Sequence, residues 1–224
     1  MTVVITIDGP AGAGKSTLAK RLAQRLGYTY LDTGAIYRTL ALAADRARIA
    51  SDDTSALCDL AASMLQRMAF ATDGQQQRLM LDGQDVTEAI RVPSISAAAS
   101  KVSAHGPVRQ ALLEMQRRFA AAQNVVVEGR DTGTVVFPDA TVKFFMTATP
   151  HERASRRVME LRERGLSADY ETTLQEIIER DLRDTQRAAA PLRRAATAID
   201  LDTTGLTIDQ VLETMLHEVQ ARVS

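Results

Sequence analysis

An α/β fold built on a parallel, doubly wound sheet is expected from three features of this 224-residue chain. Short β-branched apolar runs alternate with longer segments whose apolar residues recur at helical spacing, the pattern of strands joined by crossover helices. The first run, Val3-Val4-Ile5-Thr6-Ile7, passes through a glycine-rich loop into a helix that stops at Gly27. Between Arg67 and Ile90 the helical period disappears, and Asp73-Gly74 and Asp82-Gly83 punctuate short alternating runs. Asp-Gly between such runs marks hairpins, so a small antiparallel insertion is expected there.

Each element has its own signal. The opening run reads as a buried strand, and Leu18, Leu22 and Leu26, with Ala19 and Ala23 beside them, make the first helix. Tyr28-Thr29-Tyr30-Leu31 predicts a second strand, ending at Asp32-Thr33-Gly34. Helices are expected over about 35–47 and about 54–66, the latter with Leu57, Leu60, Ala61, Met64 and Leu65 on one face. After the insertion, helices resume over about 93–104 and 108–122, separated by Gly106-Pro107. Val108, Ala111, Leu112, Met115 and Phe119 follow the 3.6 period on the second of these. Val125-Val126-Val127 and 142–146 read as core strands, the latter preceded by the turn Pro138-Asp139. Three arginine-rich helical segments are expected to about Arg194, then a strand at 199–202 and a helix at 207–221. Thr207-x-x-Gln210 has capping-box form, and Ile208, Val211, Leu212, Met215, Leu216 and Val219 form the buried stripe.

Composition excludes several classes. Apolar residues are 45% and charged residues 25%, so a packed core is expected rather than disorder. A net charge of −1 argues against a nucleic-acid polymer or a polybasic membrane contact as partner. The one cysteine, Cys58, excludes an intramolecular disulfide and a cysteine zinc cluster, and reads as a small core or near-core thiol. His105, His151 and His217 are scattered and read as surface or capping residues. No signal peptide or membrane span is apparent, and the simplest placement is the cytoplasm.

The loop carries the first chemistry. Gly9-Pro10-Ala11-Gly12-Ala13-Gly14-Lys15-Ser16 reads G-x-x-x-x-G-K-S between strand and helix, followed by Thr17. In that context the loop's backbone N–H groups close around a polyphosphate and the helix N-terminus adds a favourable dipole. Lys15 would reach the β- and γ-phosphates of a nucleoside triphosphate, and Ser16 would hold Mg²⁺. Glu128, delivered by the apolar strand Val125-Val126-Val127, resembles the second metal-holding acid of such proteins, directly or through water. Arginines supply a second signal. Arg180, Arg183, Asp184 and Arg187 fall at i, i+3, i+4 and i+7, and Arg153, Arg156 and Arg157 group in the same way. Arg38, Arg109 and Arg130 stand in separate segments. Guanidinium groups from several elements suit two anionic molecules that meet.

At these residues the chain resembles the bacterial cytidylate kinase family of nucleoside monophosphate kinases. The matching stretches are 5–16, Leu31 to Arg38, 97–100, Pro107-Val108-Arg109, 129–139 and Glu179-Arg180-Asp181-x-Arg183-Asp184-x-x-Arg187. The resemblance implies phosphoryl transfer from ATP to CMP or dCMP with Mg²⁺. It implies a core at 1–37, a monophosphate-binding region at 38–106 holding an insertion at about 67–90, and core again at 107–152. A helical lid at 153–170 and a last core segment at 171–224 complete the division. By position, Gly9 through Thr17 with Arg156 and Arg157 would bind ATP. Ser100, Arg109 and Asp131 look like the cytosine-reading group, and Arg38, Arg130 and Arg187 like the monophosphate clamp. Thr33, Tyr37, Arg180 and Asp184 would hold the ribose and acceptor phosphate, and Lys15, Arg130, Asp131, Arg180 and Arg187 would carry catalysis. Thr33 stands where many members have serine, which leaves the CMP-versus-dCMP preference open.

No catalytic base is required, because a phosphate monoester is largely ionised near pH 7. A monomer with a mobile lid and a mobile insertion is expected. The alternatives are another P-loop kinase, for a different monophosphate or a small metabolite, and a nucleotide-dependent switch. A hydroxyl acceptor would want a base near the γ-phosphate, and Asp8 is the one clear candidate for it.

Overall fold

The computed structural model describes residues 2–73 and 76–223. The first half runs β1 (Val4–Asp8), α1 (Lys15–Leu26), β2 (Thr29–Asp32), α2 (Thr33–Arg46), α3 (Thr54–Arg67), β3 (Met68–Asp73), β4 (Gln76–Leu81) and β5 (Gln84–Asp85). It continues through α4 (Pro93–Val102), α5 (Gly106–Ala120), β6 (Val125–Gly129), β7 (Val142–Thr147), α6 (Pro150–Glu163), α7 (Tyr170–Gln186), β8 (Ile199–Asp202) and α8 (Ile208–Val223). A 3-10 turn covers Ala89–Arg91 and a π turn covers Thr132–Val136. The chain divides into a discontinuous unit, 1–31 with 120–224, and a contiguous one, 32–119.

The first unit carries a five-stranded sheet in the order β2-β6-β1-β7-β8. β1 pairs in parallel with β6 and β7, and β7 in parallel with β8. Every residue of β6 is buried, which explains why this strand reads as a continuous apolar run. Ile5 and Ile7 of β1 join Val126, Val142, Phe144, Met146 and Leu201 in one apolar cluster. Leu18, Ala19, Leu22 and Ala23 of α1 and Val211, Leu212, Met215, Leu216 and Val219 of α8 close that cluster. Full burial of a side chain such as Leu22 or Phe144 contributes about 2 kcal/mol. The capping box at α8 forms: Gln210 N–H donates to Thr207 Oγ1 at 3.3 Å, and Thr207 N–H to Gln210 Oε1 at 2.9 Å. Ile208, expected in the buried stripe, is 42% exposed because it occupies the first turn.

Two arginine-rich helices, not three, occupy 150–186. Arg187 leaves the helix with φ −59° and ψ 139°, and Ala190 adopts φ 48° just before Pro191. A residue preceding proline is disfavoured in the helical region, so 187–194 turns back instead. Leu192 N–H then donates to the Asp184 carbonyl at 2.8 Å.

In the second unit, β3, β4 and β5 form the expected antiparallel sheet. Asp82 (φ 50°) and Gly83 (φ 78°) make the two-residue turn that pairs Leu81 with Gln84. The other expected turn, Asp73-Gly74, reaches beyond the described residues. Phe70 of β3 packs edge-on against Phe119 of α5, centroids 4.8 Å apart. α2 lies against α3 and α4. On α3, Leu57, Ala61 and Met64 are buried, whereas Leu65 is 37% exposed. Cys58 is half-buried and unbridged. His105 caps rather than ligates: its ring nitrogens meet Thr54 Oγ1 and the Ser51 carbonyl, each at 2.9 Å. No helix among the described residues is long and apolar enough to cross a membrane.

Candidate active site

The phosphate loop sits at the carboxyl end of β1, the central strand, where open α/β sheets place their ligands. Gly9 is required there by contact: a Cβ would stand 2.1 Å from the Met146 carbonyl oxygen of β7. Gly14, which begins α1, is required by conformation, with φ 88° in the left-handed region. Lys15 is buried, and its Nζ donates to the Pro10 carbonyl at 2.7 Å. Burial, with the nearby Arg130 and Arg180 cations, lowers Lys15 to about 7, against the opposing pull of Glu128 and Asp8. An ammonium so placed is short of negative charge, which a triphosphate would supply.

The expected metal pair is in contact. Ser16 Oγ donates to Glu128 Oε2 at 2.9 Å, and Tyr30 donates its hydroxyl proton to Glu128 Oε1. A hydroxyl and a carboxylate are hard oxygen donors and fit Mg²⁺. Among the described residues no group of three or more His, Cys, Asp or Glu could hold a metal.

Asp8, at the end of β1, is fully engaged in structure. Its Oδ1 accepts from Thr132 N–H and Oγ1, both at 2.8 Å, and its Oδ2 from Gly133 N–H at 2.7 Å. Burial pushes its carboxyl above the ordinary value even though these three donors pull the other way. Its bonds tie the end of β1 to the π turn that follows Arg130 and Asp131.

Asp184 gathers the arginines. Arg130 Nε donates to its Oδ2 at 3.0 Å, Arg180 Nε lies 4.0 Å from the same oxygen, and Arg187 lies 4.0 Å from Oδ1. Arg187 also approaches Asp131 Oδ1 at 3.5 Å and donates to the Ala190 carbonyl at 2.7 Å. Burial alone would raise Asp184, but the three guanidinium groups outweigh it and hold the carboxyl below its ordinary value. Arg130, Asp131, Arg180, Asp184 and Arg187 are thus brought together at the end of β6 and along α7. Cations outnumber carboxylates in this group, which favours an anionic ligand. Arg183, which shares the sequence spacing, is exposed.

The α6 arginines separate by role. Arg156 donates to Thr203 Oγ1 at 3.1 Å and to the Thr203 carbonyl at 2.8 Å. Its guanidinium is 3.9 Å from the position a Cβ would take on Gly14, so it borders the phosphate loop. Arg157 pairs with Glu160 at 2.8 Å on the exposed side. Arg153, which spacing does not distinguish from the other two, is buried, 3% exposed, and donates to the Ala11 carbonyl at 3.0 Å. Thr203 is also buried and lies 3.3 Å from the Ala13 carbonyl. No sequence signal marks Thr203.

The second unit groups its own candidates. Asp32 accepts from Ala35 N–H at 2.9 Å as the cap of α2 and pairs with Arg38 at 2.5 Å. Arg109 stacks over the Tyr37 ring at 5.1 Å and donates to the Ser103 carbonyl at 3.1 Å. Thr33, Tyr37, Ser100 and Arg109 are buried, on α2, α4 and α5.

The family model described as cytidylate kinase matches residues 5–221. The chain belongs to the cytidylate kinase family. A cytidylate kinase of Citrifermentans bemidjiense is 51% identical over 222 residues, spanning 99% of this chain and 94% of that protein. A second cytidylate kinase, from Azotobacter vinelandii, is 49% identical over 220 residues, 98% of this chain and 96% of that protein. The crystal structure of a gluconokinase from Sinorhizobium meliloti 1021 superposes with a TM-score of 0.50 at 13% identity, covering 98% of this chain and 92% of that one. At that identity the likeness shows the fold alone. Membership in the cytidylate kinase family makes the chain a nucleoside monophosphate kinase.

Proposed function

We propose that the chain transfers the γ-phosphoryl group of ATP to CMP or dCMP, giving ADP and CDP or dCDP. The observation that carries this reading is the Asp184-centred arginine cluster beside a Lys15 phosphate loop, in a chain matched to cytidylate kinases along nearly its whole length. A loop for the donor triphosphate and a separate set of arginines for an acceptor phosphate are the requirements of transfer between two anions.

In this reading Gly9 to Thr17 hold the triphosphate, with Arg156 at the loop and Arg157 reaching the nucleotide from α6. Arg130 and Arg187, with Arg38, bind the acceptor phosphate. Thr33, Tyr37, Arg180 and Asp184 order its sugar and phosphate, and Ser100, Arg109 and Asp131 read cytosine. A carboxylate at Asp131 accepts from the C4 amino group, which uracil lacks. Ser16 and Glu128 would hold Mg²⁺, directly or through water, and the ion supplies charge neutralisation on the transferred phosphate. The acceptor oxygen is already anionic, so Lys15 and the arginines act by orientation and charge stabilisation. Asp8, the one base a hydroxyl acceptor could have used, is engaged by Thr132 and Gly133, which counts against a metabolite kinase. The lid at 153–170 excludes water on closing, though Arg153 anchors its first turn. The reading also takes the protein as a cytoplasmic monomer, which sedimentation at micromolar concentration tests for the assembly.

The deciding experiment is a coupled ADP-release assay with ATP and Mg²⁺, offering CMP, dCMP, UMP and AMP to wild type and Asp131→Ala. Turnover with CMP and dCMP that falls at least about 100-fold in the variant is expected. Equal turnover with UMP or AMP would refute the cytosine-reading role.

A further inference from the structure

Three carbonyl groups of the phosphate loop are each held by a donor. Lys15 takes Pro10 at 2.7 Å, Arg153 takes Ala11 at 3.0 Å, and Thr203 takes Ala13 at 3.3 Å. In a trans peptide the carbonyl of one residue and the N–H of the next point in opposite directions within one plane. Fixing the Ala11 carbonyl on Arg153 therefore turns the Gly12 N–H away from Arg153. Fixing the Ala13 carbonyl on Thr203 does the same for the Gly14 N–H. Both glycines sit at positive φ, 77° and 88°, where the residue itself supplies little directional preference. The direction has to come from outside the loop.

We propose that Arg153 and Thr203 are positioning residues that aim the Gly12 and Gly14 N–H groups at the triphosphate. Arg153 spends its fork on protein: Nε donates to the Ala148 carbonyl at 3.0 Å, and one terminal nitrogen pairs with Asp181 at 2.5 Å. The other terminal nitrogen holds Ala11, so a rigid planar group fixes α6, α7 and the loop at once. A Cβ on Gly12 would stand 3.1 Å from the Arg153 Cβ and 3.3 Å from its carbonyl oxygen, so the glycine lets the loop approach α6 closely. A lysine cannot span three such acceptors, because its single ammonium is a point charge. The Thr203 hydroxyl shares its one proton between the Ala13 carbonyl at 3.3 Å and the Thr147 carbonyl at 3.1 Å, and its oxygen accepts from Arg156 at 3.1 Å, so it bridges the loop, β7 and α6.

The inference rests on the reading that this loop binds ATP. Its test measures ATP and CMP affinity side by side in wild type, Arg153→Lys, Thr203→Val and Thr203→Ser. Glycine-labelled protein reports the amide shifts of Gly12 and Gly14. Thr203→Val keeps the side-chain shape and removes the hydroxyl's contacts with Ala13, Thr147 and Arg156 together, while Arg156 keeps the Thr203 carbonyl as acceptor; the Gly14 amide shift then separates a response of the loop from one of Arg156. It is expected to weaken ATP about tenfold and to move the Gly14 amide, while Thr203→Ser returns ATP affinity to within about twofold of wild type. Arg153→Lys is expected to weaken ATP by at least as much and to move the Gly12 amide. CMP affinity should stay within about twofold in the Thr203 variants, and in Arg153→Lys, which also loses Asp181 beside Arg180, ATP affinity should fall by more than CMP affinity. Variants that keep wild-type ATP affinity would overturn the inference alone, as would equal losses of ATP and CMP affinity. Wild-type protein that binds CMP but no ATP would overturn the loop reading and this inference with it.

Discussion

Lys15 is buried beside two guanidinium groups, and its lowered value near 7 has a defined consequence for pH. In the unfolded chain the same amine titrates near 10.5, so between about 7 and 10.5 the unfolded state binds more protons. Stability should therefore rise with pH across that window, by up to about 1.4 kcal/mol per unit, and the rise should be absent in Lys15→Met. Denaturant titrations of both proteins at pH 7, 8 and 9 check the sign. A triphosphate beside the amine raises its value again, so ATP binding near pH 8 should take up protons. Calorimetry in two buffers of different ionisation enthalpy measures that uptake, and equal uptake by Lys15→Met would refute the assignment. Gly9 gives a steric prediction instead. With a Cβ 2.1 Å from the Met146 carbonyl oxygen, Gly9→Ala must displace β7 or the loop. A loss of about 2 kcal/mol in unfolding free energy is expected, together with weakened ATP binding.

Between elements, Asp8 is the informative joint. Asp8→Asn replaces one acceptor oxygen with a donor, leaving a buried N–H of Thr132 or Gly133 without a partner. The expected cost is about 2 kcal/mol of stability, with a raised KM for CMP because the adjoining segment carries Arg130 and Asp131. Thr207→Ala, which removes a cap on α8, should cost about 1 kcal/mol and leave both KM values unchanged. Thermal unfolding and steady-state kinetics on the two variants separate a joint that serves the site from one that serves only the fold. The strands, the Asp82-Gly83 turn and the α8 cap were legible because each is encoded within a few neighbouring residues. The end of α7 was misread for a physical reason: 188–190 are alanines of high helix propensity, and Arg187 leaves the helix for the Ala190 carbonyl and Asp131. The partners of Arg153, and any part for Thr203, were not legible because their acceptors, Ala11 and Ala13, lie 142 and 190 residues away in sequence. Spacing reveals a shared helix face; it does not reveal which arginine on that face is buried.

For the whole molecule, the net charge of −1 hides a dense local grouping of charge, with Lys15, Arg130, Arg180 and Arg187 gathered among Asp8, Glu128, Asp131 and Asp184. A reaction run by charge stabilisation should depend sharply on the divalent cation. Chelation with excess EDTA should abolish ADP release, and added Mg²⁺ should restore it; residual turnover under chelation would contradict the role given to Ser16 and Glu128. The sheet order has a different consequence, for the nascent chain. β1 is the central strand, yet Val4 takes Val125 as partner on one side and Ile5 takes Val142 on the other. Everything from 32 to 119 is synthesised between them, and that stretch is a unit of its own. The contiguous unit therefore has all its residues while β1 still waits, and the cost of closing the long loop predicts that the discontinuous unit folds more slowly. Pulse-labelled hydrogen exchange during refolding should protect the amides of α2 and α4 before those of β1. The strand that bears the phosphate loop would then leave the ribosome well before its partners β6 and β7 and be among the last to find its place.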